Sequence, residues 1–162
     1  MDRRHFIGQG AAAIGLLAGF SGQARANLQK AEILVIGGGY GGATAAKYLR
    51  LFSNNTAKVT LIEPNTSFIS CPMSNLVIGG SRTLAEITSP YDTLSKRHGI
   101  KIIQDSVSSI DPDKKIVKLA SGKTLRYDKA VVSPGVSLNF KSIEGLAQAN
   151  KDGVTLQAWK AG

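Results

Sequence analysis

Apolar positions change their rhythm along this chain. Near its start four of them run together, Ile33 to Ile36, the mark of a strand buried on both faces, as in a parallel sheet. The run enters Gly37-Gly38-Gly39-Tyr40-Gly41-Gly42, and an Ala-rich stretch from Tyr40 to Phe52 then predicts a helix. Lys58-Val59-Thr60-Leu61-Ile62 predicts a second strand that ends at Glu63, since Pro64 cannot extend a central strand. Phe68 to Gly80 reads as loop. Short helices are expected near Thr83 to Thr88 and from Tyr91 to His98, and Ile100 to Ile103 resumes strand character. Beyond them the pattern becomes one of short strands between turn signals: Ser106 to Ile110, Lys115 to Leu119 and Thr124 to Tyr127. Asp111-Pro112-Asp113 and Ser121-Gly122 supply the turns of this meander. Lys129 to Val132 predicts a last short buried strand that runs into Ser133-Pro134-Gly135.

The glycines between the first strand and the first helix follow G-x-G-x-x-G, at Gly37, Gly39 and Gly42. Each has a mechanical reason. Gly37 permits the tight reversal, Gly39 lets a pyrophosphate approach the backbone without meeting a Cβ, and Gly42 lets the helix pack close to the strand. The helix N-terminus offers free N–H groups and the positive end of its dipole. Glu63 follows Gly42 by twenty-one residues, at the end of the second strand. A carboxylate there can accept hydrogen bonds from both ribose hydroxyls of an adenosine, and it would repel a 2′-phosphate. The first half of the chain therefore reads as a dinucleotide-binding unit that does not favour NADP.

Residues 1–26 read as a leader. Arg3-Arg4 precede Phe6, a weakly apolar and Gly-rich stretch follows to Phe20, and Ala24-Arg25-Ala26 places small residues where a signal peptidase cuts. The pattern resembles a twin-arginine export signal, with the mature chain, residues 27–162, beginning at Asn27 and destined for the periplasm. That route carries folded proteins, so a nucleotide would be collected before export. A tightly held FAD travels with its protein, whereas exchangeable NAD has no supply outside the inner membrane. The formal charge of +9 is owed in part to the leader, and the remaining cations are scattered, as at Lys96-Arg97 and Lys114-Lys115. No basic stripe interleaves with aromatics, which argues against nucleic acid as partner. No segment of the mature chain is long and apolar enough to predict a membrane span. Cys71 is the single cysteine and the two histidines are His5 and His98, so no disulfide and no metal site is expected.

The order strand–helix–strand, meander, then a strand ending in a Gly turn resembles the FAD domain of the two-dinucleotide-domain flavoproteins. Thr124 to Gly135, with Tyr127-Asp128 ahead of an apolar strand and a small-x-Gly turn, looks like their second FAD motif. Ser70-Cys71-Pro72-Met73-Ser74-Asn75-Leu76-Val77-Ile78-Gly79-Gly80 and the terminal Ala158-Trp159-Lys160-Ala161-Gly162 narrow the likeness. Together with the fingerprint they are similar to the flavoprotein subunit of flavocytochrome c sulfide dehydrogenase. The resemblance implies an α/β, Rossmann-like FAD-binding domain: a parallel sheet with an inserted β-meander. It implies oxidation of sulfide to sulfur or polysulfide, with electrons passing from FAD to a c-type cytochrome subunit. Carried over by residue, Gly37, Gly39, Tyr40, Gly41 and Gly42 meet the pyrophosphate, Glu63 the ribose, and the Val107 backbone the adenine. Gly135 lies in the turn that passes the nucleotide. Cys71 matches the cysteine that joins the 8α-methyl of the flavin through a thioether. A thiolate is a suitable nucleophile for that bond.

The family's redox disulfide needs two further cysteines, so no catalytic residue is expected within these residues. The chain is expected to be an N-terminal fragment that stops before the second dinucleotide-type domain. Two other readings stay open at this point. One is a related flavoprotein that reduces quinone at a membrane surface, like sulfide:quinone reductase or type II NADH dehydrogenase. The other is a truncated nucleotide-binding remnant without catalysis.

Overall fold

The structure, a computed structural model, describes residues 28–155. The leader, Asn27 and the Ala158–Gly162 motif lie outside the described residues. Strand β1 (Glu32–Ile36) is followed by helix α1 (Tyr40–Phe52) and strand β2 (Lys58–Ile62), as the sequence pattern predicts. Two more parallel strands, β5 (Lys101–Ile103) and β9 (Lys129–Val132), complete a four-stranded sheet in the order β5-β2-β1-β9.

β1 is apolar at consecutive positions because both its faces are covered. Ile33 and Val35 join Val59 and Leu61 of β2 on one face, under Ala46 of α1 together with Tyr91 and Ile100. Leu34 and Ile36 join Ile62 on the other face, against Val117 and Leu119. These last two belong to β7 (Ile116–Leu119), the middle strand of an antiparallel meander with β6 (Val107–Asp111) and β8 (Thr124–Arg126). The alternation follows from the two-residue period of a strand. Each of the larger side chains hidden here, such as Ile33 or Leu61, contributes about 1.5–3 kcal/mol by leaving water. The meander is tied back to the sheet at its exit. The Glu32 N–H donates to the Asp128 carboxylate at 2.7 Å, and the Asp128 N–H to the Glu32 carbonyl at 2.8 Å.

The segment from Phe68 to Gly80 corrects its reading as loop. It begins within strand β3 (Ser67–Ile69), makes a 3-10 turn over Cys71–Met73 and continues as helix α2 (Ser74–Ile78). β3 pairs antiparallel with β4 (Thr88–Pro90), a two-stranded sheet that the sequence pattern did not announce. The helix expected from Thr83 to Thr88 is a single 3-10 turn, Ala85–Ile87, whose next residue already belongs to β4. Helix α3 (Asp92–His98) follows, and a last short helix, α4 (Leu146–Lys151), was also unforeseen.

From β1 the chain moves outward through β2 to β5, then returns to the other side of β1 as β9. The crevice between β1 and β9, at the C-terminal ends of the strands, is thus a topological switch point, where open α/β sheets bind ligands.

Candidate functional site

Four strand ends meet at this edge. The Gly37 N–H donates to the Ile62 carbonyl at 2.9 Å, the Glu63 N–H to Ile103 at 3.0 Å, and the Ser133 N–H to Ile36 at 2.8 Å. The turn after β1 and the turn after β9 therefore lie side by side. Gly37 has φ +95°, in the region that favours glycine, and a Cβ built on it would lie 2.1 Å from the Ser133 carbonyl oxygen. A Cβ on Gly42 would lie 1.8 Å from the Gly37 carbonyl oxygen, and one on Gly41 2.8 Å from the Ser133 hydroxyl. Glycine is required at Gly37 and Gly42, where a Cβ would run into backbone, whereas at Gly41 it would meet only a side-chain hydroxyl that can turn aside.

Gly39 is different. Its φ of −65° is open to any residue, and a Cβ there would meet only the edge of the Phe68 ring, at 4.0 Å. Neither conformation nor packing demands glycine at Gly39. It is also the N-cap of α1, yet no side chain caps the helix and no acid stands in its first turn. The first-turn N–H groups, which have no partner within the helix, and the positive end of its dipole are left to whatever lies in front of Gly39.

Glu63 is buried, with 8 % of its surface exposed. Its carboxylate accepts the Gly38 N–H at 2.7 Å through Oε2, and the Asn65 N–H and Nδ2 at 3.0 and 2.6 Å through Oε1. These three donors use part of its acceptor capacity of about four lone-pair sites. The carboxylate stands beside the Gly-rich turn, as its place at the end of β2 predicts.

Tyr40, the first residue of α1, is exposed, with its ring edge-on to Phe68 at 4.7 Å between centroids. Its hydroxyl shares a 2.5 Å hydrogen bond with that of Ser70, which is buried. Cys71 comes next, a free and half-buried thiol that opens the 3-10 turn. The tether puts the cysteine-bearing segment against the N-terminal turn of α1. Val107 opens β6 and packs, partly buried, on the cluster that holds Ile36 and Ile62. Gly135 has φ +76° and an open side: a Cβ there would meet nothing within 4 Å. All nine residues singled out from the sequence thus lie on elements that converge on, or pack beneath, the C-terminal edge of the sheet.

The structure adds Tyr91, Ser70, Phe68 and Asn65. Tyr91 is 6 % exposed, and its hydroxyl donates to the Gly38 carbonyl at 2.9 Å. Burial, assisted by the charge of Glu63, pushes its pKa up to about 12. No local pattern could have tied it to a glycine 53 positions earlier. Asn65, two residues after Glu63, had a visible signal: an Asn in a strand-ending turn commonly bonds its neighbours. Among the described residues no cluster of His, Cys, Asp and Glu could hold a metal ion, and no helix is long and apolar enough to cross a membrane.

Comparison with known proteins agrees with this geometry. Residues 31–160 match the model of the pyridine nucleotide-disulphide oxidoreductase family. The flavoprotein chain of flavocytochrome c sulfide dehydrogenase from Chlorobaculum thiosulfatiphilum is 53 % identical over 46 residues, 28 % of this chain and 94 % of that sequence. The mitochondrial sulfide:quinone oxidoreductase of Mus musculus is 33 % identical over 120 residues, 72 % of this chain and 26 % of the relative. In structure, the sulfide:quinone oxidoreductase of Aquifex aeolicus superposes with a TM-score of 0.64 at 34 % identity, covering 68 % of this chain and 25 % of that one. The chain thus spans about a quarter of the length of the two sulfide:quinone oxidoreductases. With the Gly-rich turn, the buried Glu63 and the parallel sheet in place, the chain belongs to the pyridine nucleotide-disulphide oxidoreductase family, whose members are FAD-dependent oxidoreductases.

Proposed function

We propose that this chain is the FAD-binding part of a periplasmic flavoprotein that oxidises sulfide to sulfur or polysulfide and passes the electrons to a c-type cytochrome subunit. The observation that carries the cofactor is the open space before Gly39, at an uncapped helix N-terminus. The backbone of Gly37, Gly39, Tyr40, Gly41 and Gly42 would hold the pyrophosphate, and the remaining lone pairs of Glu63 the ribose. The Val107 backbone would meet the adenine, and the turn that holds Gly135 would pass close to the nucleotide. When bound, FAD supplies the acceptance of an electron pair and its release one electron at a time. The protein contributes position. Tyr40 and Ser70 fix the segment that carries Cys71, the one thiol available for a covalent link to the flavin. Sulfide as reductant is supported by the names of the relatives, and export by Arg3-Arg4 and Ala24-Arg25-Ala26 of the leader.

A second acceptor has its own support. The mouse relative, matched over 120 residues against 46 for the flavocytochrome chain, passes its electrons to quinone, as its name states. Sulfide-driven reduction of a soluble c-type cytochrome in preference to a short-chain quinone supports the first acceptor, and the reverse order supports the second. The cofactor is tested by the visible spectrum of the purified protein before and after acid precipitation. A flavin band that stays in the pellet supports FAD joined to Cys71. A band released to the supernatant removes the covalent link, and protein without a flavin band that also fails to take up added FAD overturns the reading.

A further inference from the structure

Gly38 lies inside the fingerprint without being one of its three required glycines, and both of its backbone polar groups end on buried side chains. Its N–H donates to Glu63, and its carbonyl accepts from Tyr91, the residue just before α3. The Tyr91 ring fills the space a side chain on Gly38 would need: a Cβ there would lie 2.5–2.8 Å from the ring and its oxygen. Ring and hydroxyl together set the plane of the Gly38–Gly39 peptide. That peptide is trans, so its C=O and N–H point in opposite directions. Holding the Gly38 carbonyl onto a buried hydroxyl therefore turns the Gly39 N–H away from Tyr91.

We propose that Tyr91 is a positioning residue for the dinucleotide: by holding the Gly38 carbonyl inward, it aims the Gly39 N–H at the pyrophosphate. Tyr91 itself touches no ligand. The inference rests on the FAD reading above and assigns the loop's orientation to a residue outside the sequence motif. Burial pushes the Tyr91 pKa up to about 12, so the hydroxyl remains a donor well above neutral pH. Phenylalanine keeps the ring and removes only this donor.

The test uses flavin-free protein in a Cys71→Ser background, with and without Tyr91→Phe. FAD, ADP and adenosine are titrated against each. Tyr91→Phe should weaken ADP about tenfold, the weight of one charge-assisted hydrogen bond, and adenosine by less than about twofold. Equal losses for the two ligands, or no loss for either, overturn the inference while leaving FAD binding intact. Failure of the parent protein to bind FAD overturns the dinucleotide reading and the inference together. The Gly39 amide resonance of the protein with Tyr91 in place gives a readout that does not depend on the variant folding. It should move downfield with ADP and stay in place with adenosine, and a resonance that ignores ADP overturns the inference.

Discussion

In the turn after β1, a Cβ on Gly37, Gly38, Gly41 or Gly42 would come within 3 Å of protein atoms; in the turn after β9, a Cβ on Gly135 would meet none within 4 Å. Both turns carry glycines that resemble nucleotide-binding motifs, yet the reasons for glycine differ. In the first turn Gly37 and Gly42 are required by backbone and Gly38 by the buried Tyr91 ring, with or without a ligand, while Gly41 faces only the Ser133 hydroxyl. Gly39 is the uncrowded one, and Gly135 in the second turn shares its open side. A Gly-rich fingerprint thus mixes two kinds of information. Its crowded positions speak of the fold, and its open ones of what the fold leaves room for.

Gly42→Ala attacks the crowded kind. The new methyl meets backbone rather than a flexible side chain, so about 3 kcal/mol of stability should be lost, read by chemical denaturation. A variant as stable as its parent would break the distinction. The support beneath that turn has a pH signature. Tyr91 is raised from its ordinary 10 to about 12 on folding, so between those values the native state holds a proton that the unfolded chain has released. Stability should therefore be full below pH 10 and fall as pH rises toward 12. Tyr91→Phe should show a shallower loss across the same window.

The open glycines should respond less in stability. Gly135→Ala places a side chain at φ +76° and should cost about 1–2 kcal/mol through backbone strain alone. Gly39→Ser should change stability by no more than about 0.5 kcal/mol, because its backbone is already extended and serine is a favoured N-cap. It should nevertheless weaken FAD by about tenfold or more, equivalent to about 1.4 kcal/mol, and retained affinity would show that the open space serves something else. Cys71→Ser should leave the fold unchanged and move any acid-stable flavin from pellet to supernatant.

The parts legible in the sequence are those with local causes. β1, α1 and β2 lie where the apolar run, the Ala-rich stretch and Pro64 put them, because each signal acts within a few residues. β3 and β4 were not legible. Three residues show no period, and Ser67 finds Pro90 only through the tertiary fold. The site divides in the same way. Gly37, Gly39, Gly42 and Glu63 were visible because their spacing follows from one strand–turn–helix–strand unit. Tyr91 and Ser70 were not, since a hydroxyl that meets a glycine or tyrosine many residues away leaves no mark in the spacing.

The pairing of β1 with β9 carries a consequence for how the molecule comes into being. Glu32 and Asp128, whose backbone and carboxylate bonds join the two strands at one end, are 96 residues apart. A contact of that sequence separation closes a long loop and forms late. On the ribosome, a nascent chain that has exposed β1, α1 and β2 already contains the fingerprint and Glu63, but Gly37 still lacks Ser133 across from it. The packing around Gly37 is therefore complete only after β9 emerges, and on the proposed function cofactor capture should wait for synthesis of that strand. Chains arrested before Ser133 should remain open to protease at the Gly-rich turn even with FAD in excess, and chains arrested well beyond it should be protected.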